Sequence, residues 1–440
     1  MSGVRGGVGP VIITDGILMH RIVYSLLWYL LLPAALLRLL WRARRQPAYL
    51  AHLRERFGWY RRRHAIDNII WVHAVSVGET RAAEPLVRAL QDCYPAHRIL
   101  MTHTTPTGRE AGEQLFGDSV IRCYLPYDLP DAVRRFFRHF RPAAGIILET
   151  EIWPNLLHAA RETGIPVFLV NARLSARSAE SYRRMGGLAR MAMSALTGIA
   201  AQGSADAERL SALGAPTVCV AGNLKFDFSP SAVLETLGKQ WRSTIHQRPV
   251  VILASSREGE EACLLETLTQ DGAGDSLWVV VPRHPQRFAS VAAIFEQRGL
   301  RVHFRSAGMP PPDTVEVLVG DSMGEMEAYF AFADVVLMGG SFLDFGSHNL
   351  IEPCALSRPV LLGPSTYNFS EAAAAAMAAG AAEQCLDMQA AVARAKTLLA
   401  DPVRRQEMGR AGLAFTSAHC GATGRVMELI RQHFPGGTGN

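Results

Sequence analysis

The sequence predicts a doubly wound α/β protein with two domains, each built on a parallel sheet. From Asn68 onward, short apolar runs alternate with amphipathic stretches, which is the pattern of repeated βαβ units. Polar, glycine-bearing clusters follow most of these runs, where an open parallel sheet places its ligand-binding loops. The 440 residues are enough for two or three domains at roughly 150 residues each. A hydrophobic share of 49% against 19% charged excludes a disordered chain.

The N-terminal end departs from this pattern. Residues 1–18 are Gly-rich and aperiodic, and residues 1–21 read as a disordered extension. Ile22–Leu37 carries no charge, and residues 22–41 read as a membrane-anchor helix, either single-pass or lying in the interface. Pro33 would kink it. Arg42, Arg44, Arg45, Arg54, Arg56, Arg61, Arg62 and Arg63 follow, a positive flank that keeps the downstream domains on the cytoplasmic side. Residues 1–70 hold eleven arginines against Asp15, Glu55 and Asp67, so most of the chain is mildly acidic. The net charge of +5 is therefore local and points to an anionic lipid surface, not to nucleic acid.

Ten strands are expected in order: Ile69–Val75, Ile99–His103, Gly145–Leu148, Val167–Val170 and Ile199–Ala201, then Val250–Ala254, Leu277–Val281, Val315–Val319, Val335–Met338 and Val360–Leu362. Arg81–Cys93, Glu258–Thr269 and Ser370–Ala379 read as helices between them. The stretch Phe226–Ala232 reads as a linker, dividing an N-terminal domain of 42–226 from a C-terminal domain of 227–440. Seven dispersed cysteines without a C-x-x-C suit buried thiols in a reducing compartment better than a disulfide or zinc framework.

The post-strand clusters suggest a site in a cleft between the domains. Glu79 stands near a helix start, where the dipole favours a carboxylate able to take a proton from a hydroxyl; a helix-start Glu that only stabilises the first turn fits equally well. Glu149 and Glu151 are two apart, so in an extended segment they share a face and can bind sugar hydroxyls or divide acid and base roles. A salt-bridged strand end is the plain alternative. Lys225 is one of three lysines against 42 arginines, and its ammonium suits a phosphate or carboxylate. Met323-Gly324-Glu325 and Gly346-Ser347-His348-Asn349 each lead into a helix, and Arg283 follows a central strand, so both places suit an anion. The absence of a P-loop pattern excludes a P-loop triphosphatase, and His284 and His348 lack partners at ligand spacing.

The ordered motifs HAVSVGET, TTPTG, YLPYDLP, ETEIWPN, NARLSARS, GNLKFD, SREGEE, VPRHPQRF, GDSMGE, GGSF and HNLIEP resemble the bacterial 3-deoxy-D-manno-octulosonic acid (Kdo) transferases of lipopolysaccharide assembly, from Ile22 to about Phe415. The resemblance implies a GT-B fold: two Rossmann-like domains facing a cleft, plus the N-terminal anchor helix. It implies transfer of Kdo from CMP-Kdo to a tetraacylated lipid A precursor (lipid IVA), with inversion, at the cytoplasmic face of the inner membrane. It makes the N-terminal domain the acceptor domain and the C-terminal domain the donor domain. Glu79 would be the general base, while Glu151 and Lys225 would hold the reacting centre. Pro282, Arg283, Met323, Gly324, Glu325, Asn349, Leu350, Ile351 and Glu352 would hold CMP, with no metal or other cofactor. The alternative within the fold is a transferase using a UDP-sugar on a lipid acceptor. One departure stands out: the family usually shows a second glycine where this chain has Ser347, so a left-handed backbone there would be strained.

Overall fold

The computed structural model describes residues 15–44, 46–61 and 68–435, the side chains of 15–18 aside. Of the features expected above, residues 1–14 and Arg45, Arg62 and Arg63 lie outside the described residues. The chain divides into two compact units, residues 1–227 with 421–440, and 228–420.

The first unit holds β1 (Ile69–His73), β2 (Arg98–His103), β3 (Val120–Tyr124), β4 (Ala144–Leu148), β5 (Val167–Ala172), β6 (Gly198–Ala201) and β7 (Val218–Val220). They form one parallel sheet in the order β3-β2-β1-β4-β5-β6-β7. Strand residues alternate between two separate cores. Ile69, Trp71, Leu100 and Ile147 enter one; Ile70, Val72, Met101 and Ile146 enter the other. Helices cover both faces, so the central strands are apolar without interruption. The order reverses between β1 and β4, a topological switch point.

The second unit holds β8 (Val250–Ser256), β9 (Leu277–Pro282), β10 (Val302–Phe304), β11 (Val317–Val319), β12 (Val335–Met338), β13 (Val360–Leu362) and β14 (Ala382–Gln384). Their parallel order is β10-β11-β9-β8-β12-β13-β14, with its switch point between β8 and β12. All ten expected strands are present, with ends shifted by a few residues. Val315 is not in a strand, because its N–H bonds Pro312 O in a turn.

The expected second domain of 227–440 is divided otherwise. The helix Ala422–His433 packs Ala422, Val426, Met427, Leu429 and Ile430 into the first unit's core. Asp227 fixes its start by accepting the N–H groups of Gly421 at 2.6 Å, of Ala422 at 3.2 Å and of Thr423. The expected extension and anchor are likewise redrawn, because a single helix, α1, runs Asp15–Ala43 and continues through Pro33. Its stretch Met19–Ala43 is long and apolar enough to cross a membrane. Arg21, Tyr24, Ser25, Trp28, Leu32, Ala35, Leu36, Leu39 and Ala43 form a half-buried to buried stripe at helical spacing. Leu26, Leu30 and Leu37 lie exposed between them. Arg56 does not belong to an exposed basic belt. It is buried, with its guanidinium 4.1 Å over the Tyr124 ring.

Candidate functional site

In the first unit the acidic residues gather at the switch point. After β1 the chain turns at Ser76, the N-cap of the helix Val77–Ala82. The Ser76 hydroxyl accepts the Glu79 N–H at 3.3 Å and donates to Glu79 Oε1 at 2.8 Å; Glu79 Oε2 accepts the Val75 N–H at 2.8 Å. This is a reciprocal cap of the S-x-x-E kind, so Glu79 does hold its helix start. Gly78 is helical, and a Cβ there would meet Ser76 Oγ at 3.8 Å, an ordinary contact. Gly108 has the opposite role: a Cβ there would lie 2.9 Å from Val75 O, so only glycine lets the helix Pro106–Phe116 approach this turn.

The helix dipole does not keep Glu79 in the ordinary carboxylate range. Burial pushes its pKa up to about 7, and the charges of Glu149 and Glu151 push in the same direction against the hydrogen bonds from Val75 and Ser76. The three carboxylates thus form one electrostatic cluster across the ends of β1 and β4. Glu149 and Glu151 do not share a face by strand alternation as expected, because Glu149 takes φ 57° and turns the chain. Burial raises the pKa of Glu151, opposed by the Trp153 indole N–H, which donates to Glu151 Oε2 at 2.8 Å.

Further along the same sheet end, Asn171 at the end of β5 sits at φ 52°, fully buried. Its Oδ1 accepts the Leu224 N–H at 3.0 Å, and its carbonyl accepts Gln202 Nε2 at 3.0 Å; Asn223 Nδ2 donates to Gln202 Oε1 at 3.2 Å. These bonds tie the ends of β5 and β6 to the short turn Leu224–Phe226 that carries Lys225. Sequence reasoning did not assign Asn171 or Gln202 a role. The available signal was an Asn directly after an apolar run, a residue type that tolerates left-handed backbone.

In the second unit the loops after the neighbouring strands β9, β8 and β12 are cationic. Pro282 ends β9 and Arg283 follows, its N–H bonded to Ser256 O at 3.0 Å. Arg257 Nη1 donates to His284 Nε2 at 3.0 Å, and its guanidinium lies 4.7 Å over the Phe345 ring. Burial holds His348 down at about 4, aided by the charges of Arg283, Arg257 and His284, and its Nε2 has no partner among the described residues. Sequence reasoning passed over Arg257, and its test for metal-ligand spacing gave His348 no other role. The loop is built on Glu260, fully buried, which accepts the N–H groups of Gly340 and Arg257 at 2.8 Å and of Phe342 at 3.0 Å.

The remaining expected donor residues lie around this unit's sheet. Ser347 is left-handed at φ 69° and buried, as the glycine pattern implied. Asn349 Oδ1 accepts the Ile351 N–H at 3.1 Å and its Nδ2 donates to Glu352 at 3.0 Å, so Asn349, Leu350, Ile351 and Glu352 form one helix entry. After β11, Gly324 takes φ 80°, Met323 is exposed, and Glu325 accepts Ser322 Oγ at 2.5 Å and Arg305 Nη2 at 3.2 Å. Among the described residues no group of three or more His, Cys, Asp or Glu side chains is placed to hold a metal ion.

The family described as 3-Deoxy-D-manno-octulosonic-acid transferase (kdotransferase) matches residues 51–228. A 3-deoxy-D-manno-octulosonic acid transferase of Bordetella pertussis is 46% identical, covering 82% of this chain and 86% of its own. One from Haemophilus influenzae is 35% identical, covering 88% of this chain and 93% of its own. A solved glycosyltransferase from Rickettsia africae shares the fold at TM-score 0.54, with 11% identity, over 83% of this chain and 98% of that one.

Proposed function

From the premise that this chain belongs to the 3-deoxy-D-manno-octulosonic acid transferase family, and is a Kdo-transferring enzyme of the GT-B class, we propose that it moves Kdo from CMP-Kdo to a sugar hydroxyl of lipid IVA with inversion. The first unit is read as the acceptor domain and the second as the donor domain. The observation that carries the reading is Glu79, a carboxylate at a switch point held by two donors and raised to about 7 beside Glu149 and Glu151. A base is most effective when its pKa lies near the working pH.

Glu79 takes the proton of the acceptor hydroxyl as that oxygen bonds to the anomeric carbon of Kdo. The bond from that carbon to the CMP phosphate oxygen breaks, and its electron pair leaves with CMP as a phosphate monoester dianion. Arg283 supplies positive charge for that leaving group. The helix entries at Asn349–Glu352 and at Met323–Glu325, with Pro282, shape the CMP site. Glu151 and Lys225 hold the reacting centre. The outward apolar face of α1, with Leu30 74% exposed, supports attachment to the inner membrane's cytoplasmic face. The test offers purified enzyme CMP-Kdo or UDP-sugars with lipid IVA and follows the product by mass spectrometry. Kdo addition from CMP-Kdo is expected; turnover only with a UDP-sugar overturns the reading.

A further inference from the structure

An anchor needs only length and apolar surface, yet the docked stripe of α1 places three hydrogen-bonding side chains in its third and fourth turns. Tyr24 OH donates to Asp128 Oδ2 at 3.0 Å and accepts Trp28 Nε1 at 2.7 Å; Ser25 Oγ donates to Asn155 Oδ1 at 3.2 Å. Within a bilayer such groups are costly unless satisfied. Here Tyr24 and Ser25 find partners beyond the helix, and Trp28 finds Tyr24 on it.

Those partners are not incidental surface groups. Asp128 is buried and caps the helix Pro154–Glu162, its Oδ2 accepting the Asn155 N–H at 3.0 Å and its Oδ1 the Leu156 N–H at 2.8 Å. Asn155 is also buried and donates from Nδ2 to Asp128 O at 2.7 Å. The Trp28 ring stacks on Trp153 at 6.1 Å and 29°, and the Trp153 indole N–H holds Glu151 at 2.8 Å. From α1 toward Glu151 there are thus two routes, the first reaching the helix start four residues along the chain from Glu151 and the second reaching Glu151 by side-chain contact. One runs through Tyr24, Asp128 and the helix start; the other runs through Trp28 and Trp153.

We propose that α1 is a positioning element of the transferase site as well as an anchor, with Tyr24, Ser25 and Trp28 fixing the turn that presents Glu151. This rests on the reading of Glu151 given under Proposed function. Tyr24 and Trp28 are positioning residues, since they act through Asp128 and Trp153. The turn depends on such outside support, because it leaves β4 through the left-handed Glu149 and the N-cap residue Trp153 supplies no side-chain cap of its own.

The test uses the full chain in detergent micelles with CMP-Kdo and lipid IVA, so that membrane attachment does not limit turnover. The double variant Tyr24→Phe/Trp28→Leu keeps α1 apolar and removes both routes. The expectation is a fall in kcat of tenfold or more, an unchanged KM for CMP-Kdo, retained flotation with vesicles, and recovery of most activity in Trp28→Phe. Tyr24→Phe alone, which removes one oxygen, is expected to lower kcat about threefold and serves if the double variant does not accumulate. In a Glu151→Gln background the double substitution should have no further effect, because coupled positions are not additive. A double variant, or failing that Tyr24→Phe, with wild-type kcat overturns the proposal while leaving Glu151's role intact if Glu151→Gln is impaired. A Glu151→Gln enzyme with normal turnover overturns the reading of Glu151 and the positioning proposal together.

Discussion

The two sheets open at the same topological place with opposite charge. Between β1 and β4 the first unit gathers Glu79, Glu149 and Glu151; after the neighbouring strands β9, β8 and β12 the second gathers Arg283 and His284, Arg257, and His348. Each unit winds its chain so that the loops after neighbouring central strands meet, two strands in the first unit and three in the second, and each fills that place with different residues. Fold therefore supplies a location, and the few residues after each strand supply the chemistry. Burial, aided by nearby carboxylates, raises a base toward neutral pH, whereas burial, aided by nearby guanidinium groups that also suit an anion, keeps a histidine unprotonated.

The sharpest way to break this contrast is to remove one charge from each side. Glu79→Gln should lower kcat by about 10²–10⁴, the usual worth of a positioned base, with the KM for CMP-Kdo close to unchanged. Arg283→Ala should act in the opposite sense, raising that KM about tenfold to a hundredfold, the equivalent of about 1.5–3 kcal/mol for a hydrogen bond to a charged group. If steady-state kinetics show Glu79→Gln raising KM at full kcat, the acidic side does not carry the base.

The next effect is on pH dependence. With Glu79 raised to about 7, kcat/KM should climb with pH through about 7 as the carboxylate ionises. Glu149→Gln removes one of the raising charges, so that limb should move to lower pH in a pH–rate profile; an unmoved limb would show that Glu149 does not act on Glu79. The same shift has a sign for stability. A carboxyl raised in the folded state favours folding below its unfolded value near 4.5, and that contribution is lost as pH rises through about 7. Glu79→Gln should therefore gain stability relative to the parent chain on the alkaline side, measurable by thermal melts at two pH values.

The smallest effect concerns the cationic side's loop. Ser347 at φ 69° carries a cost of about 1–2 kcal/mol that glycine would not. Ser347→Gly should raise the thermal midpoint of the second unit by about 2–8 °C and leave the KM for CMP-Kdo unchanged.

The strands that sequence reasoning missed show where patterning fails. They are β3, β7, β10 and β14, which are the four edges of the two sheets. Edge strands are covered on fewer sides: β7 and β10 have no fully buried residue, and β3 is interrupted by Arg122. The central strands are buried on both faces and so read as unbroken apolar runs. Much the same holds for the site. Of the proposed site residues, Glu79, Glu151 and Arg283 stood out in polar clusters that follow apolar runs, and Lys225 as one of three lysines among 42 arginines. The start of the helix Ala422–His433 did not stand out, because the Asp227 that fixes it is 194 residues away from Gly421.

By itself the sequence determined what periodicity and local order encode: two parallel sheets, an apolar N-terminal helix, and the set of polar clusters that follow the strands. These follow from side-chain burial along a strand or helix, which acts over a few residues. Only the tertiary structure decided how those groups interact. Burial and two neighbouring carboxylates outweigh the helix dipole at Glu79 because desolvation depends on everything packed around a group, not on its place in the chain. The same holds for α1. Its composition marks it for a membrane, but its docked stripe against Asp128, Trp153 and Asn155 is set by contacts between residues more than a hundred positions apart.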